Sequence, residues 1–345
     1  IAAYRKVEPP ILKWPDRRPI GMLMIPCEPR KYPNNPRGWF KDKAKEIDIN
    51  TEDGKAKLKK LLSEYAENSV RVLTNINAQG AIMWSIEGEE NPHPITYIGD
   101  PRLTKDLAPE MDAIADILFQ KLRDAGLRTG VCIRPSQVYF HEEKKKWQHA
   151  PGNDNPNQNG GRYAAIKPAG LASWQFFPVA ERLIDKISYA KQRWGCTLFY
   201  IDTNGVFRPL GKEQKFEWTL FQADVMRRVL AKHPDVLLIP ELWTGDGAQH
   251  AAYWAVSAPY LELDLGGTST PSWPRTLYPE GFSVLNVCDG DLAKERAKLV
   301  ESVRRGDILM TRGWFGEKRN AEVLSIYEEA WPDFMAKKEK GAWKE

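Results

Sequence analysis

The chain has 345 residues, with 50 basic and 46 acidic side chains, a formal net charge of +4, and 42% apolar and 28% charged residues. Near-balanced charge gives no electrostatic footprint for nucleic acid, and no run approaches the roughly 18 apolar residues that a membrane helix needs. The length suits one large domain with long loops.

A Pro-rich leader runs through Pro19, and no signal peptide is visible. The chain starts at Ile1 rather than Met. A processed N-terminus would favour a secreted or periplasmic location, and the compartment stays open. Eight short apolar runs then follow in order, at 20–27, 81–87, 129–135, 197–203, 236–241, 260–265, 282–288 and 307–311. Each reads as a strand buried on both faces. Helical spacing of apolar residues appears between most of them, at 52–77, 108–125, 174–194, 216–232, 248–256, 292–305 and 321–337. Gly126, Gly195 and Gly306 stand where helices should stop before a strand. Only 266–281, rich in Thr, Ser and Pro, shows no clear helix.

Strands alternating with helices predict parallel βαβ units of one hand. No GxGxxG follows the first strand, so an open nucleotide-binding sheet lacks its fingerprint. The expected fold class is α/β, a single-domain (β/α)8 TIM barrel with long βα loops. Residues 19–334 would form the barrel, 1–18 an N-terminal extension and 335–345 a Lys-rich, frayed tail. Cys27, Cys132, Cys196 and Cys288 each lie in or beside an apolar run and make no CxxC, so buried free thiols are expected.

Long connections at 88–103 and 136–173 fall on the C-terminal side of the second and third strands, where barrel active sites are built. There are 13 Trp, 12 Tyr and 12 Phe, many of them beside Gly, Asn and Pro, as at Tyr139, Trp243 and Trp314. Such rings stack on the apolar faces of sugars, although about half are expected to fill the core instead. His93, His141 and Arg312 are candidates to bond sugar hydroxyls.

Carboxylates gather at the strand ends: Glu87 on the second, Asp202 on the fourth, Glu241 on the fifth, Glu262 and Asp264 on the sixth, Asp289 and Asp291 after the seventh. An acid ending an apolar strand is costly unless it meets water, a partner or a substrate. Asp202 could instead cap a helix, but Asn204 and Gly205 delay one. Acids ending the adjacent strands four and five would converge over the barrel mouth. Two such carboxyls are the minimum for cleaving a glycosidic bond, one as acid and the other as nucleophile or base.

The order of strand-four aspartate, strand-five glutamate and strand-seven aspartate resembles the α-amylase-like clan of retaining glycoside hydrolases. Tyr200-Ile201-Asp202 and Pro240-Glu241-Leu242-Trp243 match it in position and type, while Asn286-Val287-Cys288-Asp289 lacks the His that usually precedes the third acid. Phe199-Tyr200-Ile201-Asp202 also resembles the nucleophile strand of α-galactosidase-like and α-fucosidase-like barrels. The resemblance implies Asp202 as nucleophile and Glu241 as acid/base, acting on an oligo- or polysaccharide. Glu241 must then begin protonated, which calls for burial beside negative charge. Substrate contacts are expected from Glu87, His93, Arg134, Tyr139, His141, Trp243, Asp289, Arg312 and Trp314. No cofactor or metal is expected, and the oligomeric state is left open.

Two other readings stand beside this one. Glu87, Asp202, Glu241, Asp264 and His141 could hold Mg or Mn in a barrel isomerase or aldolase. A degenerate barrel could bind saccharide without cleaving it, and whether Ser85 stands in place of an acid is open. A Schiff-base aldolase is disfavoured, since none of the eight strands ends in Lys.

Overall fold

The computed structural model describes residues 1–28, 31–84, 86–88, 99–135, 138–141, 146–149, 179–202, 214–241, 251–263, 270–313 and 317–339. For 138–141, 146–149, 179, 214–222 and 317 this holds for the backbone alone. The strands are β1 (Ile20–Met24), β2 (Gly80–Trp84), β3 (Arg128–Ile133), β4 (Val138–His141), β5 (Lys146–His149), β6 (Cys196–Ile201), β7 (Leu237–Pro240), β8 (Tyr260–Glu262), β9 (Val284–Asn286) and β10 (Ile308–Arg312).

All but β4 and β5 form one 8-stranded sheet in the order β7-β6-β3-β2-β1-β10-β9-β8, and every pairing in it is parallel. A parallel bridge from Glu241 to Tyr260 joins its two ends. The Ala258 N–H also donates to the Leu238 carbonyl at 2.9 Å across the same seam. The sheet is therefore a closed (β/α)8 barrel, and the eight apolar runs are its eight strands. β4 and β5 make a separate antiparallel hairpin after β3. Its strands, Val-Tyr-Phe-His and Lys-Trp-Gln-His, are too short to read as an apolar run.

The helices are α1 (Ala2–Val7), α2 (Glu52–Asn75), α3 (Thr104–Leu107), α4 (Pro109–Asp112), α5 (Ala115–Asp124), α6 (Val179–Trp194), α7 (Gln214–Lys232), α8 (Ala252–Val256), α9 (Ser272–Leu277), α10 (Leu292–Arg304) and α11 (Glu317–Glu339). Local sequence sets their ends. The Thr51 hydroxyl accepts the Gly54 N–H to cap α2, and the Asp291 carboxylate accepts the Lys294 N–H to cap α10. Gly126, Gly195 and Gly306 take φ of +74°, +66° and +94° where their helices stop.

Two expectations change. The helix read over 108–125 is broken near Ala113, where the Asp112 carbonyl accepts from Arg193 Nη2 at 2.7 Å. The stretch 266–281 does contain a helix, α9, whose six residues are too few to show a periodic pattern. In the leader, α1 comes first, and Glu8 fastens the segment through Arg227 and through Tyr278 Oη, which donates to the Glu8 carbonyl at 2.6 Å.

Strand alternation splits the core into two shells. Ile82, Trp84, Cys132, Leu198, Tyr200, Leu237, Ile239, Tyr260, Val284, Ile308 and Met310 fill the barrel interior. Their neighbours Met83, Val131, Ile133, Phe199, Ile201 and Leu238 pack outward against helices, as do Leu261, Leu285 and Leu309 against α10 and α11. All four cysteines are free and buried. Among the described residues no helix is long and apolar enough to cross a membrane.

Candidate active site

Because side chains alternate across a strand, the next inward position after each interior residue is fixed by counting. Beyond Cys132 it is Arg134, and beyond Tyr200 it is Asp202. Beyond Ile239 it is Glu241, beyond Tyr260 it is Glu262, beyond Val284 it is Asn286, and beyond Met310 it is Arg312. An interior filled with apolar and aromatic side chains thus changes at its C-terminal mouth into a layer of charged and amide groups. That is the end at which barrel enzymes build their sites.

Asp202 and Glu241 both stand at this mouth. The register Ile201↔Pro240 runs to the strand ends, and the Glu241 N–H donates to the Ile201 carbonyl at 3.0 Å, so the two acids stand side by side on neighbouring strands. Beneath them lies an aromatic floor. Trp84 and Tyr200 have ring centroids 4.3 Å apart, and Tyr260 meets Tyr200 edge-on at 4.9 Å. Burial, with Glu241 first among the nearby charges, holds the Tyr200 phenol well above its ordinary range, so this ring is a neutral wall.

Arg134 reaches Asp202 from the adjacent strand. Its Nε donates to Oδ2 at 2.7 Å, and Nη2 lies 2.6 Å from the same oxygen. The Arg134 side chain is 1% exposed and that of Asp202 10%. Behind Arg134 sits Lys186 of α6, fully buried. Its Nζ donates to the Arg134 carbonyl at 2.6 Å and the Gly99 carbonyl at 3.2 Å, and lies 3.6 Å from Asp100 Oδ2. Burial pulls the Lys186 ammonium down to about 8.

Glu87 belongs to this second group. Ile86 packs in the outer core, so the alternation of β2 ends at Trp84. The Glu87 carboxyl is fully buried, Oε1 accepts the Asp100 N–H at 2.7 Å, and Oε2 has no hydrogen-bond partner among the described residues. Burial pushes it up to about 7. Asp289 and Arg312 form an ion pair at 2.5 Å on the rim, with Asp289 exposed and Arg319 Nε donating to the Val287 carbonyl just below.

His93, Trp243, Trp314, Ser85 and Asp264 lie outside the described residues, and only the backbone of Tyr139 and His141, on β4, is described. Among the described residues no group of three or more His, Cys, Asp or Glu could hold a metal ion. Sequence reasoning counts Glu262 among the strand-end acids without giving it a role, and it passes over Asn286, Tyr260 and Lys186. Continuing the alternation one step past Tyr260 and Val284 reaches Glu262 and Asn286. Lys186, between Leu183 and Ile187 on the apolar side of α6, is marked only as a cation on a buried face.

No family model matches the sequence, and no curated protein matches it. In structure the chain is similar to an α-L-fucosidase GH29 from Bacteroides thetaiotaomicron, at 12% identity and a TM-score of 0.41, over 95% of this chain and 73% of that one. It is similar to α-L-fucosidase isoenzyme 2 from Paenibacillus thiaminolyticus, at 11% identity and a TM-score of 0.48, over 94% of this chain and half of that one (50%). It is similar also to an Anoxybacillus α-amylase, at 12% identity and a TM-score of 0.46, over 91% of this chain and 79% of that one.

Proposed function

We propose that this barrel is a glycoside hydrolase that cleaves its substrate with retention, with Asp202 as nucleophile and Glu241 as acid/base. The observation that carries the reading is the placement of these two acidic residues at the ends of adjacent, in-register strands. Neighbouring strands lie about 4.8 Å apart. A retaining pair needs about 5–5.5 Å between carboxyls, whereas an inverting pair needs about 6.5–9.5 Å to admit a water. Aligned positions on neighbouring strands favour the shorter spacing.

In this reading Asp202 attacks the anomeric carbon while Glu241 gives its proton to the departing oxygen. Glu241 then takes a proton from water as the glycosyl–Asp202 bond is broken. Arg134 supplies the counter-charge for Asp202 and fixes which oxygen is committed to the ion pair. The buried phenol of Tyr200 and the ring of Trp84 present an apolar floor that keeps water from below the reacting carbon. The substrate is an oligo- or polysaccharide, with Arg312 and Asp289 on the rim of its path.

The test is turnover of a panel of aryl α- and β-glycosides and polysaccharides by the wild type, Asp202→Asn and Glu241→Gln. The expected result is one substrate hydrolysed by the wild type and a loss of about 10³-fold or more in each variant. Equal turnover in all three proteins would overturn the assignment.

A further inference from the structure

Glu262 is the third carboxylate of the inward layer, and the reading above leaves it unused. A chain of hydrogen bonds fixes its orientation. The Cys288 N–H donates to Asn286 Oδ1 at 2.9 Å, which settles the flip of that amide. Asn286 Nδ2 then donates to Tyr260 Oη at 2.6 Å. With an N–H already pointing at its oxygen, the phenol commits its own proton to Glu262 Oε1, 2.8 Å away. Burial and the neighbouring Glu262 charge hold the Tyr260 phenol well above its ordinary range, so it stays a donor.

Among the described residues the partners in this chain are neutral. Asp202 has Arg134, and Asp289 has Arg312, but Glu262 is held by a phenol and, through it, an amide. Its side chain is only partly buried, unlike the fully buried Glu87. A carboxylate offers about four acceptor sites, and one phenol takes a single one of them. The register Glu262↔Asn286, together with the Glu241–Tyr260 bridge, puts it across the barrel seam from Glu241 and above the ring of Tyr260.

We infer that Glu262 is a substrate-binding carboxylate that selects neutral sugars, accepting hydrogen bonds from hydroxyls of the ring seated over the Trp84–Tyr200–Tyr260 floor. The inference rests on the glycoside hydrolase reading for the place of that ring. A sugar hydroxyl is a donor, and a carboxylate fixed at one oxygen presents the other at a set angle. Uronates and other acidic sugars would meet the Glu262 charge and are selected against.

Monosaccharides are not hydrolysed, so binding can be read apart from turnover. Wild type and Glu262→Gln are titrated with glucose, galactose, mannose, fucose, xylose and glucuronate, and with monodeoxy forms of whichever sugar binds, by calorimetry. Gln keeps an acceptor for Tyr260, so the fold should hold, and unchanged thermal melting checks this. The expected result is that a neutral sugar binds the wild type and binds Glu262→Gln about tenfold or more weakly. One monodeoxy form should bind both proteins alike, because the hydroxyl that Glu262 reads is gone. Tyr260→Phe, which releases the carboxylate without removing it, should give a smaller loss in the same direction. Equal affinity of wild type and Glu262→Gln for every sugar overturns the inference, as does preference for glucuronate or failure of every sugar to bind. Loss of hydrolysis in Asp202→Asn alongside equal affinities would keep the hydrolase reading and remove this one.

Discussion

Arg134 and Asp202 are joined through a single oxygen, with two guanidinium nitrogens at 2.7 and 2.6 Å from Asp202 Oδ2 in a setting that leaves the arginine 1% exposed. A buried pair adds little net stability, because desolvation consumes most of the attraction, but removing one partner strands the other charge. Arg134→Met is therefore expected to lose about 3 kcal/mol in urea denaturation. Adding Asp202→Asn, which removes the stranded charge, should restore part of that loss. A double variant whose loss equals the sum of the singles would show that the two groups are not coupled.

The strands were readable because both faces of a barrel strand are buried, so each appears as an unbroken apolar run. Asp202 and Glu241 were readable for the converse reason, as charges that end such runs. Glu87 looks the same in sequence, yet it stands three residues past the inward Trp84, off that strand's inward parity, and its carboxyl bonds the Asp100 backbone. One residue of parity separates a carboxyl in the mouth from one in the wall. Lys186 was not readable as a partner of the site, since its acceptors, the carbonyls of Gly99 and Arg134, lie 87 and 52 residues away in the chain. α9 and the β4–β5 hairpin escaped because six residues, and strands of four residues each, are too short to show a period.

Glu87 predicts a dependence of stability on pH. Its carboxyl is held at about 7, against an ordinary value of 4.5, and burial is the main cause. Between those values the folded state keeps a proton that the unfolded chain releases. Stability contributed by this group is thus full below about pH 4.5 and is lost as pH rises to about 7, at roughly 1.4 kcal/mol per pH unit. Glu87→Gln removes the titrating group, so urea denaturation from pH 4.5 to 7 should show a flatter decline than in the wild type. An unchanged slope would show that Glu87 titrates normally.

Gly99 holds the second-strand loop against Arg134. It takes φ +75°, and a Cβ there would lie 2.7 Å from the Arg134 backbone nitrogen. Gly99 also accepts the Arg134 N–H at 2.9 Å. Gly99→Ala therefore meets both an unfavourable backbone conformation and a clash with main chain that cannot swing aside. A loss of about 2–3 kcal/mol is expected in thermal or urea unfolding. Hydrolysis should fall as well, since the Arg134 backbone is what the clash displaces. A variant of wild-type stability would mean the loop yields freely there.

Lys186 carries the most distinctive expectation. Burial lowers its ammonium to about 8 from an ordinary 10.5, offset in part by Asp100. Between those values the unfolded chain binds a proton that the folded state has released, so this group makes stability rise with pH across the window. The rise runs against the usual alkaline loss of ion pairs. Lys186→Met keeps the buried volume but removes the donor to the Gly99 and Arg134 carbonyls. It should therefore destabilise the protein at pH 7 and abolish the Lys186 contribution between pH 8 and 10.5. The stability difference between wild type and variant should accordingly widen with rising pH in that range. Hydrolysis should drop in kcat more than in KM, because the change loosens the backbone of Arg134 rather than a sugar contact. If the stability difference stays constant with pH, Lys186 is not the depressed cation described, and the link from α6 to Asp202 is structural packing alone.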